Sequence, residues 1–214
     1  MVHVRTVNGE TEIFGNHGAL FMNAMTWYDH TTGSVWSQVW GRAIDGPLKG
    51  ATLELIPSQI VPWGTWKALH PETLLMTNGL DRFRLFKERI YADYIIGIEL
   101  GDAAKGYPFV LAAREQVIND MLGELPLVLA VDGENYAVHA YLRNVDGRVL
   151  TFSREGDMLV DEETGSTWNP INGLATSGVL AGKALRPVPY VPAFDEAWYD
   201  FFPQTEMYTI GDRR

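Results

Sequence analysis

The chain has no cysteine among its 214 residues. That excludes a disulfide, a thiolate nucleophile, a cysteine-ligated zinc and an iron–sulfur cluster within it. Positive charge is scarce as well: 17 Lys and Arg stand against 27 Asp and Glu, a formal charge of −10. With no basic stripe to neutralise phosphates or to settle on anionic lipid, nucleic acid and membrane surfaces are not expected partners. Long apolar runs are also missing. Leu125–Val131, for instance, is seven residues and includes Pro126, against the roughly 20 that a membrane helix needs. The opening stretch, Met1 to Gly9, has no apolar core and no cleavage site, so it does not read as a signal peptide. No glycosylation sequon, phosphate-binding loop or G-x-G-x-x-G occurs. What remains, 46% apolar and 21% charged residues, is the composition of a folded globular chain.

The chain repeats itself. Thr32-Gly33-Ser34-Val35-Trp36 recurs as Thr164-Gly165-Ser166-Thr167-Trp168, at an offset of 132. The same offset pairs Gly41 with Gly173, Ala43 with Ala175, Gly46 with Gly178, Leu48 with Leu180, Gly50 with Gly182, Leu53 with Leu185 and Pro57 with Pro189. These make 11 identities in the 26 positions from Thr32 to Pro57. Farther on, Trp66 meets Trp198, Pro71 meets Pro203 and Thr73 meets Thr205. Upstream the offset is 138, matching Val7, Gly9 and Phe14 to Val145, Gly147 and Phe152, so the first copy carries six extra residues. A fixed-period match of this length identifies a duplicated structural unit.

Each copy reads alike. A hairpin turns at Asn8-Gly9 or Asp146-Gly147, pairs suited to a type I′ turn. The Thr-Gly-Ser turn leads into a strand bearing Trp36 or Trp168, and the glycines that follow mark tight bends. One short helix then ends before a proline: 65–70 before Pro71, and 194–202 before Pro203. Terminal strands are expected at 73–77 and 205–210. The middle reads as strands over 95–100 and 103–107, a helix opening at Pro108, and further strands at 117–121 and 127–131. Residues 78–93 show no period and read as an ordered linker. The expected fold is strand-dominated α+β: two related β-rich halves from an internal duplication, each with one short helix, plus a central helix. The expected division is 1–77 for the first repeat, entered part-way, 78–94 as linker, and 95–214 for the second.

These residues resemble a bacterial and archaeal family, the domain of unknown function 3179. Its signatures are matched by Tyr28-Asp29, Thr32-Gly33-Ser34-Val35-Trp36-Ser37-Gln38, Gly41-Arg42-Ala43-Ile44 and Gly46-Pro47-Leu48-Lys49-Gly50. Trp66 with His70-Pro71-Glu72-Thr73, Tyr107-Pro108 and Val117-Ile118-Asn119-Asp120 extend the match over nearly the whole chain. The resemblance implies a fold but no established activity. Many members carry a Cys-Pro-x-Cys motif, sometimes with selenocysteine, just before the first hairpin. By that resemblance this chain starts after the motif, as a selenoprotein gene read from an internal Met would, and intact members look exported. The stretch corresponding to the motif in the second copy is Asp132-Gly133-Glu134-Asn135, which has no thiol.

Comparing the copies points to residues that the fold alone does not require. Gln38 faces Pro170, Trp40 faces Asn172, Arg42 faces Leu174, His70 faces Phe202, Asp45 faces Ser177 and His30 faces Glu162. The shared residues are turn and core types: Gly33, Trp36, Gly41, Gly46, Gly50 and Trp66, with Gly165, Trp168, Gly173, Gly178, Gly182 and Trp198. Residues found only in the first copy are of the kind that bind or react; the expected site lining is Gln38, Trp40, Arg42 and His70, together with Asp29 and Ser34 of the adjoining turn. Each also has a structural reading. Asp29 and Ser34 suit a turn, His70 suits a helix C-terminus, and divergence alone explains polar surface residues. Three histidines, His17, His30 and His70, have no metal-ligand spacing, so no metal or cofactor is expected. Trp36 and Trp66, which recur, are expected in the core; Trp27, Trp40 and Trp63 are free to line an aromatic pocket. Two functions follow. One is the main body of a thiol or selenol redox-associated protein, its reactive motif upstream of Met1 and Arg42, Gln38 and His70 bordering it. The other is a non-catalytic β-rich small-ligand-binding or structural module. A small molecule or a redox protein is the expected partner; oligomeric state is open.

Overall fold

The computed structural model describes residues 1–75 and 94–210. In chain order its main elements are β1 (Phe14–Phe21), β2 (Ala24–Asp29), β3 (Val35–Ser37), β4 (Arg42–Asp45), α1 (Trp63–Leu69), β5 (Tyr94–Leu100), β6 (Ala103–Pro108) and α2 (Phe109–Glu115). There follow β7 (Val117–Leu122), β8 (Leu125–Asp132), β9 (Ala137–Leu142), β10 (Phe152–Glu155), β11 (Met158–Asp161), β12 (Thr167–Trp168), β13 (Ala175–Ser177), β14 (Arg186–Pro187), β15 (Val191–Phe194), α3 (Asp195–Phe201) and β16 (Glu206–Met207). Three two-stranded pairings join Val2–His3 to Leu55–Ile56, Thr6–Val7 to Glu10–Thr11 and Asn144–Val145 to Arg148–Val149. The fold is therefore β-rich α+β, with a short helix in each repeat and α2 between them. Among the described residues no helix is long and apolar enough to cross a membrane. The linker expected at 78–93 lies outside the described residues, as does the end of the strand expected at 73–77; Thr73–Leu75 form no strand.

Two compact units emerge, and neither is one stretch of chain. The first gathers Met1–Ser58, Ile95–Tyr107 and Val188–Tyr208; the second gathers the described parts of Gln59–Tyr94, Pro108–Pro187 and Thr209–Arg214. The first unit holds the meander β1-β2-β3-β4 and the sheet β15-β5-β6-β16, with α3; the second holds the meander β10-β11-β12-β13 and the sheet β7-β8-β9-β14, with α1 and α2. Each repeat's short helix thus belongs to the unit built on the other repeat's meander.

The duplication holds at the level of single atoms. In the first meander the Asp29 carboxylate accepts bonds from the Thr32 amide at 2.6 Å and from Trp36 Nε1 at 2.9 Å, while Ser34 Oγ accepts the Leu48 amide at 3.0 Å. In the second, Asp161 accepts from the Thr164 amide at 2.6 Å and Trp168 Nε1 at 2.9 Å, and Ser166 Oγ accepts the Leu180 amide at 3.1 Å. Gly46 and Gly178 lie against these serines at φ +89° and +85°, a conformation and a closeness that a Cβ would obstruct. The β3–β4 register shifts at Val35/Trp36 and the β12–β13 register shifts at Thr167/Trp168. Both Trp rings are fully buried and meet Phe14 or Phe152 edge-on, at 5.4 and 5.8 Å. The six extra residues of the first copy lengthen the β1–β2 hairpin, which turns at Met22-Asn23 with φ +49° and +58°.

One core expectation is corrected. Trp198 on α3 is fully buried, whereas Trp66, its counterpart on α1, is 37% exposed. Trp198 lies beneath Gly97 of β5 and Gly106 of β6, and Cβ atoms built on either would collide with its indole. No residue of α1 is buried, so among the described residues the same helix signature has no floor over its tryptophan.

Substitution of these glycines separates packing from propensity. Gly97→Ala should destabilise the protein by about 2–3 kcal/mol through overpacking. Gly64→Ala, in α1 with open space around it, should stabilise by about 0.5–1 kcal/mol. Chemical denaturation of both variants checks this, and equal effects would contradict the packing account.

Candidate functional site

The residues singled out from the first copy fall into three settings. Asp29 and Ser34 are fully buried, and their polar atoms hold the turn described above. Burial pushes the Asp29 carboxyl up, but the bonds from Trp36, Thr32 and Gly33 outweigh it and hold the group below the usual carboxylate range. Gln38 contributes its backbone: its carbonyl accepts His3 Nε2 at 2.9 Å. The counterpart bond in the second copy runs from the Tyr141 hydroxyl to the Pro170 carbonyl at 2.7 Å. Since the main-chain oxygen makes the bond in both copies, Gln and Pro serve equally well there. His70 belongs to the second unit, at the end of α1, with its ring 4.0 Å from that of Trp66.

Trp40 and Arg42 do come together. The Arg42 guanidinium lies 4.5 Å over the Trp40 ring, which Phe201 meets edge-on at 5.1 Å and Phe21 meets at 5.7 Å. With Thr52, Glu99 and Gln204 they line an open groove of about 310 Å³ in the first unit. Burial raises the Glu99 carboxyl above its usual range, and the Arg42 charge opposes that rise. Trp27 packs elsewhere, against His3 and Phe14, and Trp63 sits exposed on α1, so these tryptophans do not form one aromatic pocket. His17 bonds Thr26 and His30 stacks on Tyr28. Among the described residues no group of three or more His, Asp or Glu could hold a metal ion.

A second cavity, more enclosed, lies in the second unit and went unnoticed in the sequence. Its volume is about 330 Å³. The floor is one face of the β8–β9 hairpin. Ala130 pairs with His139 and Asp132 with Ala137, and directly paired residues point to the same side of a sheet. Two alanines at these positions leave the space that larger side chains would fill. Arg154 of β10 and Asp157 close one side, Pro170–Ile171 another, and Val61, Pro62 and Thr65 at the start of α1 a third. The wall is tied down by Gln59 Nε2, which donates to the Ile171 carbonyl at 2.6 Å.

The charges of this cavity have different duties. Asp132 caps its own turn, accepting from the Glu134 and Asn135 amides at 3.0 and 3.1 Å and from Asn135 Nδ2 at 2.8 Å. Those bonds, led by the Asn135 side chain, hold it below the usual range despite burial. Arg154 donates from Nε to the Gly156 carbonyl at 3.0 Å and reaches the Val131 carbonyl at 3.4 Å. His139 is only 4% exposed, and its Nδ1 is buried without a hydrogen-bond partner. Burial first, then the Arg154 charge, push its ring down to about 4, with Asp132 opposing. It is a neutral imidazole at pH 7. The one signal in the sequence was a lone histidine in the otherwise apolar strand 137–142.

This makes a pH prediction with a definite sign. Because the folded value near 4 lies below the ordinary imidazole value of 6.5, the unfolded chain binds the proton more readily. The stability due to a neutral His139 is complete above about pH 6.5 and is lost as the pH falls from there toward 4. The loss should be on the order of 3 kcal/mol in the wild type and absent from the pH profile of His139→Gln, as urea titrations across this window would show. Superimposable profiles would contradict the buried neutral ring.

No curated protein and no solved structure matches the chain. A family model matches it over residues 1–95 and 92–205. The chain belongs to the family described as proteins of unknown function, DUF3179.

Proposed function

We propose that this chain is a non-catalytic small-ligand-binding module whose site is the His139 cavity of the second unit. The observation that supports this reading is the alanine-floored space itself, with a buried imidazole whose Nδ1 has no hydrogen-bond partner and a guanidinium in its walls. About 330 Å³ is at the small end of ligand pockets, and the mix of apolar wall with a few polar groups is typical of them. Among the described residues Thr65 supplies the one hydroxyl of the lining and no carboxylate bonds His139, so they set up no nucleophile–base pair there. Binding is therefore favoured over catalysis. A thiol or selenol redox role would use groups that this chain does not contain, so its own geometry offers that reading nothing.

The ligand should carry an acidic or hydrogen-bond-accepting group for Arg154 and an apolar body for Val61, Pro62 and Ile171. Thermal unfolding in the presence of short-chain carboxylates, sugar acids and amino acids tests this. At least one probe at saturation should raise Tm by several degrees, the shift expected from roughly 2–3 kcal/mol of linkage. Ala137→Leu, which fills the cavity, should abolish the rise, and Arg154→Met should abolish it for acidic probes. Thr52→Leu, in the groove of the other unit, should leave it intact. No rise with any probe, or a rise that survives Ala137→Leu, would contradict the proposal.

A further inference from the structure

The polar groups that the fold leaves open in the His139 cavity decide which ligand it can hold. Three charged side chains line it: Arg154, Asp132 and Asp157. Asp132 is committed, since three hydrogen bonds within its own turn occupy its oxygens. Arg154 is committed in part. Its Nε and Nη1 reach the Gly156 and Val131 carbonyls, and Nη2 keeps its donors. Among the described residues no ion pair joins Arg154 to Asp157, and no hydrogen bond uses the Asp157 carboxylate. His139 is 4% exposed, and its Nδ1 has no partner. Its ring is neutral at pH 7, and a neutral imidazole has one bare nitrogen that accepts an N–H.

The open groups are therefore of opposite kinds: a cationic donor on one side, a carboxylate and an imidazole acceptor on the other. A simple anion would satisfy Arg154 and leave the acceptors unmet, and a simple amine would do the reverse. A molecule carrying both charges meets all of them with charge-assisted bonds, the strongest available to it. The chain holds the two charges near each other. In the β10–β11 hairpin Arg154 pairs with Leu159 and Glu155 with Met158, so Gly156 and Asp157 form the turn between them. The 3.0 Å bond from Arg154 Nε to the Gly156 carbonyl fixes the guanidinium against that same turn. The rest of the space is apolar, with Ala130 and Ala137 as floor and Val61, Pro62 and Ile171 in the walls. At about 330 Å³ it suits a small body. At the upstream repeat offset the counterparts of His139 and Arg154 are Met1 and Asn16, so this combination belongs to the second copy and is not demanded by the shared frame.

We propose that the ligand of this cavity is a free α-amino acid with a short aliphatic side chain. Its carboxylate meets Arg154, its ammonium faces Asp157 and the His139 ring, and its side chain lies on the alanine floor. The inference rests on the reading of the cavity as a binding site and narrows that reading to a zwitterion.

Calorimetry on the intact chain at pH 7 tests it with L-alanine and L-valine. Each is compared with the carboxylate that lacks its ammonium (propionate, isovalerate) and with the amine that lacks its carboxylate (ethylamine, isobutylamine). At least one amino acid should bind saturably, one per chain. Both of its truncated forms should bind about tenfold more weakly or worse, the loss expected when a charge-assisted hydrogen bond is removed. Asp157→Asn, at an exposed position, should weaken the amino acid severalfold and leave the matching carboxylate unchanged. Arg154→Met should weaken the amino acid and the carboxylate alike. A truncated form that binds as tightly as its amino acid would overturn the zwitterion and leave the cavity a binding site. So would amino acids that fail to bind while another small acid still raises Tm in a manner that Ala137→Leu abolishes. An amino acid indifferent to both Asp157→Asn and Arg154→Met would overturn it as well. Failure of every probe would overturn the binding reading together with this one.

Discussion

A carboxylate buried in a turn holds each half of this protein. Asp29 and Asp161 have no exposed surface, a costly place for an ionised group unless its oxygens are satisfied. Each is met by a backbone amide, a threonine hydroxyl and an indole N–H. That arrangement fixes the Thr-Gly-Ser turn and aims Trp36 or Trp168 into the core. It also places Ser34 or Ser166 to receive the amide of Leu48 or Leu180, which in turn demands glycine at 46 and 178. Strand order, bulge position and core aromatics of both meanders follow from one ion and its donors.

On that common frame the two copies carry different contents. At equivalent places His3 and Tyr141 each reach a backbone carbonyl, so the position is kept while the chemistry changes. The first unit has the open Trp40–Arg42 groove, and the second has the enclosed His139 cavity. Two adjacent small residues, Ala130 and Ala137, decide the second case, because their faces of the β8–β9 hairpin leave room that the neighbouring leucines and valines would not. Binding capacity here comes from what the core omits as much as from what lines it.

The duplicated frame was legible because its parts are local: Gly33, Gly46 and Ser34 are demanded by turns a few residues long, and Trp36 by the carboxylate seven residues before it. The hairpin turns at Asn8-Gly9 and Asp146-Gly147 were legible for the same reason, each needing positive φ at both central positions. The exposure of Trp66 was not, since the burial of its counterpart Trp198 depends on a ribbon distant in the chain, and a helix signature says nothing about what lies above it. His139 was hidden by its strand, where a single polar residue among Ala, Val, Tyr and Leu looks like a tolerated exception. Gln38 illustrates the opposite error available to copy comparison. Its difference from Pro170 looks chemical, yet the shared main-chain carbonyl makes the bond.

The dependence of both halves on the buried carboxylates is most directly measured by comparing Asp29→Asn and Asp161→Asn in urea unfolding at pH 7. Each keeps the shape but gives up the charge and an acceptor, and each should cost about 1.5–3 kcal/mol, with the two losses equal within about 1 kcal/mol. Near-wild-type stability in either variant would contradict the account, for it would mean that the turn and its tryptophan hold without the ion.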